Sequence, residues 1–298
     1  MCIRDRDSAK YHAVVDTIRG DHNIIYSNDS GSESNPGSDI LDITSPGFTV
    51  WDNQTATATS SNQSGDSLIA WCWKAGASFG SGTGSKNVEA GFSIVTWEGN
   101  QDTWGYPAVE SQTIAHGLGS PPELIIAKNR DSAEDWIVYH KDLEDGINGF
   151  LTLNDNSKQN GGFGSGNTTD VWNGTAPTDD DFYVSEDTAM HYHSLNTNGE
   201  NFVAYCFRSI PGYSRVGSFV GNSATNGVMV SLDFAPAYIW LKSRNVSSNW
   251  IVYDNKRSTY NVQGDQLKFD LTNFIFLSYT KPAELLICLL YTSDAADE

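Results

Sequence analysis

Residues 128–139 read KNRDSAEDWIVY, and residues 242–253 read KSRNVSSNWIVY. Six of the twelve positions are identical, and the two stretches align without a gap. A second pair repeats at its own spacing: NQSGDSLIAWCWK at residues 62–74 and NTNGENFVAYCFR at residues 196–208. Repeats of this kind indicate an internally duplicated architecture, in which each copy is one structural unit packed on its neighbours. Tandem copies favour a binding or structural array over a single catalytic centre.

The two ends of the chain resemble one DNA element read in opposite directions. MCIRDR at residues 1–6 and CLLYT at residues 288–292 fit the two strands of a transposase adapter used in sequencing libraries. We interpret residues 1–6 and 288–298 as adapter artefacts and the remainder as a metagenomic fragment of a longer protein. The repeats then predict four segments: the C-terminal part of a first unit at 7–75, a flexible Gly/Ser-rich linker at 76–90, a complete β-sandwich unit at 91–208, and a truncated third unit at 209–287.

Short segments rich in β-branched and aromatic residues fill the complete unit. Val203, Tyr205 and Phe207 alternate with Ala204 and Cys206, which predicts a strand whose small-residue face lies against a tightly packed layer. No stretch shows sustained helical periodicity. The sequence predicts an all-β fold of tandem antiparallel β-sandwich units, of jelly-roll or concanavalin type. Strands are predicted at residues 91–97, 123–127, 136–140, 149–153, 182–185 and 201–208.

The composition limits the partners that the chain can have. It contains 18 Lys and Arg against 37 Asp and Glu, a formal net charge of −19. This balance argues against nucleic acid and anionic membranes, since both require basic patches. No apolar run approaches the roughly 20 residues that span a bilayer, so no membrane insertion is expected. Cys72 and Cys206 occupy matching repeat positions and are predicted to be buried thiols rather than a disulfide or zinc pair.

Two Gly-rich motifs match catalytic or nucleotide-binding patterns only in part. Gly76-Ala-Ser78-Phe-Gly80 fits the G-x-S-x-G elbow of hydrolases, but further Gly and Ser follow it where that motif requires a helix. Gly84-Ser85-Lys86 places a serine between the Gly and Lys of a Walker loop. Both are interpreted as linker.

Several polar groups could hold a metal or a proton in another context. Asp179-Asp-Asp181 is interpreted as a solvated acidic turn, with a calcium site as the alternative. His191 and His193 would share a strand face, but no third ligand accompanies them. Residues 161–167 are similar to one calcium-binding β-roll repeat, yet they lack its aspartate and are expected to form a surface loop. His116 is expected to cap backbone groups in its turn. We predict no catalytic residue, no metal ligand and no cofactor. The sequence alone does not identify a ligand-binding residue.

The residues that recur between copies are the most informative. Trp136 and Trp250 each begin a predicted strand, so a core position is favoured, and a platform on which a sugar stacks is the alternative. Lys128 and Lys242 belong to Lys-x-Arg pairs. We expect these pairs to hold neighbouring loops or the interface between units.

Several motifs together resemble a repeat family of tailed-phage virion proteins, largely from marine viruses, that are tail-fibre-like and of unknown function. They are AWCWKA at residues 70–75, GFSIV at 91–95, AHGLG at 115–119, Lys128-Asn-Arg130 and YCF at 205–207. The resemblance extends over residues 7 to about 265, and residues 267–287 depart from it, which places their reading frame in question. It implies a β-rich module of the virion tail, outside the cell, and carries no catalytic residues over.

Two functions are compatible with the residues. The first is a non-enzymatic, lectin-like structural or receptor-binding module of a phage tail fibre that recognises host-surface carbohydrate and other virion proteins, with a homotrimer as a possible assembly. The second is a carbohydrate-active enzyme of the capsule depolymerase type built on a repeated scaffold. Two facing carboxylates and a Trp in a cleft of one unit would favour the enzyme, whereas equivalent shallow surfaces in both units would favour binding.

Overall fold

The computed structural model describes residues 2–5, 11–36, 41–51, 62, 64–65, 68–101, 111–143, 147, 149–161, 171–185, 194–224, 226–256, 267–271 and 284–288. Within these residues the regular secondary structure is β-strand, with short 3-10 turns at Gly80–Gly82 and at Ile147. The early strands are β1 (Cys2–Asp5), β2 (Ala13–Asp16), β3 (Gly20–Tyr26), β4 (Leu41–Thr44), β5 (Gly47–Val50), β6 (Leu68–Trp71), β7 (Ala77–Phe79) and β8 (Gly84–Asn87). The central strands are β9 (Phe92–Glu98), β10 (Gln112–Ala115), β11 (Leu124–Asn129), β12 (Ile137–His140), β13 (Gly149–Thr152), β14 (Asn160–Gly161), β15 (Asp181–Val184) and β16 (Asn201–Phe207). The late strands are β17 (Val216–Val220), β18 (Tyr238–Ser243), β19 (Ile251–Asp254), β20 (Leu267–Lys268) and β21 (Glu284–Cys288).

The strands form three larger antiparallel sheets and two ribbons. The first sheet has the order β3-β2-β1-β6, the middle sheet β14-β13-β12-β11-β16-β9-β8-β7, and the third sheet β17-β21-β18-β19-β20. The two-stranded ribbons are β4-β5, called the first ribbon, and β10-β15, called the middle ribbon. All named strand pairs are antiparallel, which confirms the predicted all-β class.

Each face of the middle sheet packs on a different layer. Val203, Tyr205 and Phe207 belong to one buried cluster, which we call the inner core, and this cluster also contains residues of the first and third sheets. Ala204 and Cys206 belong to a second cluster, which the middle ribbon covers. The predicted alternation of this strand is confirmed, and the small-residue face does carry the tightly packed layer. One face of the middle sheet therefore forms a sandwich with the middle ribbon. Its other face meets the first and third sheets around the inner core.

Strands that match in sequence hold similar positions in their sheets. β2 and β19 each lie second from an edge of their sheets, and β12 lies third because β13 and β14 follow it. The bounds of all three strands coincide with the repeat alignment. The backbone N–H of His12 donates to Asn28 Oδ1 at 2.8 Å, and that of Trp136 donates to Asn154 Oδ1 at 2.9 Å. The third sheet places Asp270 at the same point, because Phe269 N donates to Trp250 O at 3.1 Å just as Leu153 N donates to Trp136 O at 3.1 Å. The repeats therefore share backbone geometry as well as sequence, while the predicted unit boundaries stay predictions.

The prediction of a flexible linker at residues 76–90 was wrong. β7 and β8 pair with each other, and β8 pairs with β9, so this stretch extends the middle sheet. The glycines are required by close packing rather than by flexibility. A Cβ at Gly76 would lie 2.8 Å from Lys86 O, and one at Gly84 would overlap the Phe79 ring. A Gly/Ser-rich composition can thus mark tightly approaching strands.

The segments assigned to adapter sequence take part in the sheets where they are described. β1 lies between β2 and β6, and β21, which ends at Cys288, lies between β17 and β18. The assignment to an adapter stays a prediction. Among the described residues there is no helix long and apolar enough to cross a membrane.

Candidate functional site

Trp136 and Trp250 connect neighbouring sheets from the inside. Each side chain is 1% exposed. The indole N–H of Trp136 donates to Tyr26 O of the first sheet at 2.8 Å, and that of Trp250 donates to Thr152 O of the middle sheet at 2.8 Å. The two acceptors are themselves at matching positions, because Tyr26 pairs with Ala13 and Thr152 pairs with Ile137. The predicted core position is confirmed, and the alternative of a sugar-stacking platform at these two residues was wrong.

The repeated lysines hold loops, as predicted. Lys128 Nζ donates to Ser132 O at 3.3 Å, and Lys242 Nζ donates to Ser248 O at 2.6 Å. Both lysines are buried, and desolvation lowers the pKa of each to about 8. These ammonium groups bind carbonyls of the loop that precedes each repeated Trp, so their role is structural.

The arginines of the same Lys-x-Arg pairs lie at the contacts between sheets. Glu33 N donates to Arg130 O at 2.7 Å, and Gln159 N donates to Arg244 O at 2.7 Å. These are the same contact made twice, first between the first and middle sheets and then between the middle and third sheets. Arg130 also forms an ion pair with Glu33 at 2.7 Å. The expected role of the pairs at the interface between units is confirmed.

A buried ionic cluster joins the first sheet to the middle sheet. Arg19 Nε lies 2.6 Å from Asp16 Oδ2, which also accepts a hydrogen bond from Tyr205 OH at 2.7 Å. Arg19 Nη1 additionally pairs with Glu33 at 2.8 Å. Burial alone would raise the pKa of Asp16, but the Arg19 charge and the hydrogen bonds outweigh burial and lower it. The charges are mutually satisfied, which suits a structural joint and not a proton-transfer site.

The other sequence candidates are structural wherever they are described. His116 is buried, its Nε2 lies 3.1 Å from Thr178 O, and its Nδ1 accepts from Leu118 N at 3.2 Å, so it caps backbone groups as expected. Desolvation by burial lowers the pKa of His116. Asp179 and Asp180 are exposed, in agreement with a solvated acidic turn. His191, His193 and residues 162–167 lie outside the described residues.

The prediction that both repeated cysteines are buried was only half correct. Cys206 is fully buried beneath the middle ribbon, and desolvation raises its pKa to about 12. Cys72 is exposed, so the prediction was wrong there. The described part of the first ribbon packs on Ala13, Val15 and Ile24 and leaves the position of Cys72 open. A matching position in the repeat therefore predicts that a residue lies in the equivalent strand, but it does not predict whether another layer covers that residue.

An exposed aromatic and acidic surface lies where the first ribbon meets β3. We call it the Trp51 patch: Asp21, His22, Asp42 and Trp51. Trp51 follows β5 directly and is 46% exposed, and its indole N–H donates to Asp42 Oδ2 at 2.9 Å. His22 Nε2 lies 3.1 Å from Asp42 Oδ1 and 3.7 Å from Asp21 Oδ1. Hydrogen bonds from two neighbouring strands therefore fix the orientation of a solvent-exposed tryptophan.

The electrostatics of the patch follow from these contacts. Hydrogen bonds from His22 and then from Trp51 lower the pKa of Asp42, so its carboxylate is ionised. One donor atom each from Asp21, His22 and Asp42 lie within 4.8 Å of one another. This set of oxygen and nitrogen donors fits a divalent cation chemically. The same atoms already take part in hydrogen bonds inside the protein, so we assign no metal to them.

The described residues of the middle ribbon hold no equivalent of Trp51 and Asp42. The repeat alignment places Ser185 at the position of Trp51, and Ser185 is fully buried. The register of the two ribbons places Thr113 at the position of Asp42. The sequence analysis missed the patch, although one signal pointed to it: a tryptophan stands directly after a repeated strand where the other copy has serine.

The family model of DUF7483, described as a domain of unknown function, matches residues 1–275. The chain belongs to this family. The matched region runs from β1 to β20 and includes residues of all three sheets, so the DUF7483 domain is longer than one repeat. No curated protein and no solved structure matches the chain.

Proposed function

We propose that this DUF7483 chain is a lectin-like, non-enzymatic module of a phage tail fibre that contacts host-surface glycan through the Trp51 patch. The observation that carries the proposal is an exposed tryptophan oriented by an ionised carboxylate. An indole ring offers an apolar face with a polar edge, and such rings are enriched where one side of a contact is apolar and the other is wet. A sugar ring has the complementary surface: C–H groups on one face and hydroxyl donors around its rim.

The carboxylates beside Trp51 supply the polar half of such a contact. An ionised carboxylate only accepts hydrogen bonds, and sugar hydroxyls are donors that suit it. Their side chains are 35% and 39% exposed, so a ligand reaches them without any rearrangement of the ribbon. His22 lies between the two and limits how they can turn. The patch is therefore a small prearranged surface rather than a deep cleft.

The placement in a virion tail rests on the resemblance to tail-fibre-like repeat proteins. The acidic charge of the chain and its repeated β-sheets agree with a surface module that binds neither nucleic acid nor an anionic membrane. Binding to other virion proteins and assembly into a homotrimer belong to the same proposal. Repeated outward-facing ribbons around one core suit a module that presents surfaces to the outside.

The second candidate, a carbohydrate-active enzyme, is favoured by one observation. Two carboxylates and a tryptophan do occur together at the Trp51 patch, and the described residues of the middle ribbon lack the matching tryptophan. However, acid catalysis of glycoside cleavage needs one carboxyl group with a raised pKa. The pKa of Asp42 is lowered, and the group lies on an exposed ribbon. Binding is therefore the better supported of the two functions.

A glycan array and a reducing-sugar assay on the full chain separate these functions. We expect saturable binding to a subset of bacterial surface glycans without release of reducing ends. Trp51→Ala should abolish binding, and Met229→Ala, at a side chain that is 92% exposed elsewhere, should leave it unchanged. Release of reducing ends that Asp42→Asn abolishes would support the enzyme instead. Glycan binding that Trp51→Ala leaves intact would remove the patch from the proposal.

A further inference from the structure

A cavity of about 740 Å³ opens between the first and middle sheets and reaches residues of the third sheet. Its buried walls are largely aromatic and aliphatic, formed by Phe92, Trp136, Tyr205, Phe207, Trp240 and Phe269. Pockets that bind small molecules have volumes of roughly 300–1,000 Å³, apolar walls and a few polar groups that orient the ligand. The dimensions and the walls of this cavity match that description.

Within the described part of the chain, three donors on the cavity wall lack a hydrogen-bond partner. They are the Oγ of Ser27 and the indole N–H groups of Trp73 and Trp240. Ser27 is 1% exposed and Trp240 is 6% exposed, so neither is exchanging freely with bulk solvent. Buried polar groups in folded proteins normally have a partner, and each exception requires an explanation. An occupant that carries acceptor oxygen atoms provides one.

The mouth of the cavity is chemically different from its walls. Thr17, Thr44, Ser45 and Lys74 line the cavity and are exposed, so hydroxyl groups and one ammonium group surround the entrance. In a chain with a net charge of −19, a lysine at this entrance is suited to an anionic head group. An apolar body below a polar, positively charged rim defines an amphipathic ligand.

We propose that this cavity binds one fatty acyl chain, with its carboxylate or ester oxygen atoms at the mouth. The alkyl chain would fill the space between the aromatic walls, where its transfer from water contributes favourably. The oxygen atoms would accept from the Trp73 N–H and lie near the Lys74 ammonium group. The site is separate from the Trp51 patch and does not depend on glycan binding.

The test uses the full chain and the fluorescent fatty acid 11-(dansylamino)undecanoic acid. We expect saturable one-to-one binding, with increased dansyl emission and energy transfer from tryptophan. Gly47 lines the cavity, and a side chain added there meets no atom within 4 Å, so Gly47→Phe fills the entrance without a clash at its Cβ. Gly217 has the same free space but does not line the cavity, which makes Gly217→Phe the matched control.

Gly47→Phe should weaken binding about tenfold or more, a loss of roughly 1.4 kcal/mol, whereas Gly217→Phe should bind like the wild type. Trp73→Phe keeps the ring and removes the donor, and should weaken binding about fivefold, the effect of one hydrogen bond. Lys74→Gln should weaken binding of lauric acid more than that of its methyl ester. No saturable binding by the wild type, or equal binding by Gly47→Phe with an unchanged unfolding midpoint, would overturn the proposal. Glycan binding should be retained in Gly47→Phe and lost in Trp51→Ala. This pattern distinguishes the cavity from the Trp51 patch.

Discussion

The first and middle sheets share their inner framework and differ on their outer faces. Phe182 of the middle ribbon is 1% exposed, while Phe48, at the matching place in the first ribbon, is 40% exposed. The same contrast separates the buried Cys206 from the exposed Cys72. The inward-facing positions bind neighbouring sheets and tolerate little change. The outward-facing positions are free to diverge, and that is where the Trp51 patch and the mouth of the cavity lie.

The contacts between sheets also differ at one point. The first sheet has Asp16 and Arg19 where the middle sheet has His140 and Leu143. Asp16 Oδ1 and His140 Nδ1 still make the same turn contact, each accepting from the backbone N–H two residues later. The turn is therefore independent of the charge, and the ion pair is an addition particular to the first sheet.

The largest expected effect comes from breaking this buried ion pair. Arg19→Ala would leave Asp16 charged and buried without its partner, which costs about 3–5 kcal/mol of unfolding free energy. The matched control is Leu143→Ala, which should cost about 2–5 kcal/mol through loss of packing alone. The two variants differ in how their unfolding free energy depends on pH. The lowered pKa of Asp16 gives stability that is present above its unfolded-state pKa and is lost as the pH falls through its folded-state pKa.

Urea denaturation of the wild type and both variants between pH 3 and 7 measures this difference. The wild type and Leu143→Ala should lose stability in parallel as the pH falls. Arg19→Ala should lose less, because its Asp16 no longer has a lowered pKa. Parallel curves for all three proteins would show that the ion pair contributes nothing particular to the first sheet.

The two tryptophan contacts should respond equally to the same substitution. Trp136→Phe and Trp250→Phe each remove one N–H donor from a buried carbonyl, which costs about 1–3 kcal/mol. Because the two indole N–H groups donate to backbone carbonyls at matching positions and over the same distance, we expect the two losses to agree within about 1 kcal/mol. Urea unfolding at neutral pH gives both values. A neutral effect at one position alone would show that the sheets do not pack equivalently.

The third sheet carries an aspartate where the other two carry asparagine. Desolvation by burial raises the pKa of Asp270 to about 7. A raised pKa means that the folded state prefers the protonated form, so the wild type should lose stability as the pH rises from about 4 to about 7. Asp270→Asn copies the residue of the first and middle sheets and should raise the unfolding free energy at pH 8 by about 1–3 kcal/mol. Little change is expected at pH 4, and an equal gain at both pH values would contradict the role of ionisation.

The smallest perturbation is chemical labelling of the cysteines. Iodoacetamide at pH 8 should modify Cys72 in the native protein and leave Cys206 unmodified, because of these two thiols Cys72 is exposed, whereas Cys206 is buried with a pKa of about 12. Peptide mapping by mass spectrometry assigns the label, and labelling in urea serves as the control. Equal modification of both thiols would mean that the outer faces of the two sheets do not differ as described.

The sequence carried most of the information about the strands. Alternation in Asn201–Phe207 assigned both of its faces correctly, and the repeat placed β12 and β19 to within one residue of their observed starts. These features are local: strand periodicity and repeated side chains depend on a few neighbouring residues. The pairing of glycines in β7 and β8 was not accessible in this way, because it depends on the ring of Phe79 across the strand pair.

The candidate site was far less accessible than the strands. Asp21, His22, Asp42 and Trp51 lie on three different strands or their ends, and no spacing along the chain brings them together. Their proximity depends on how the first ribbon lies beside β3. The cavity depends in the same way on the packing of three sheets. Long-range packing of this kind is what a single sequence leaves open.

We expect the three sheets to fold as one body around their shared inner core, so that no single sheet is stable on its own. Urea unfolding of the isolated fragment 91–208, followed by tryptophan fluorescence, tests it most directly. Alone, the fragment would expose Trp136, Tyr205 and the rest of its inner face, so we predict no cooperative transition for it and a cooperative transition for the full chain. A fragment that is monomeric and unfolds cooperatively with buried tryptophan fluorescence would contradict the claim.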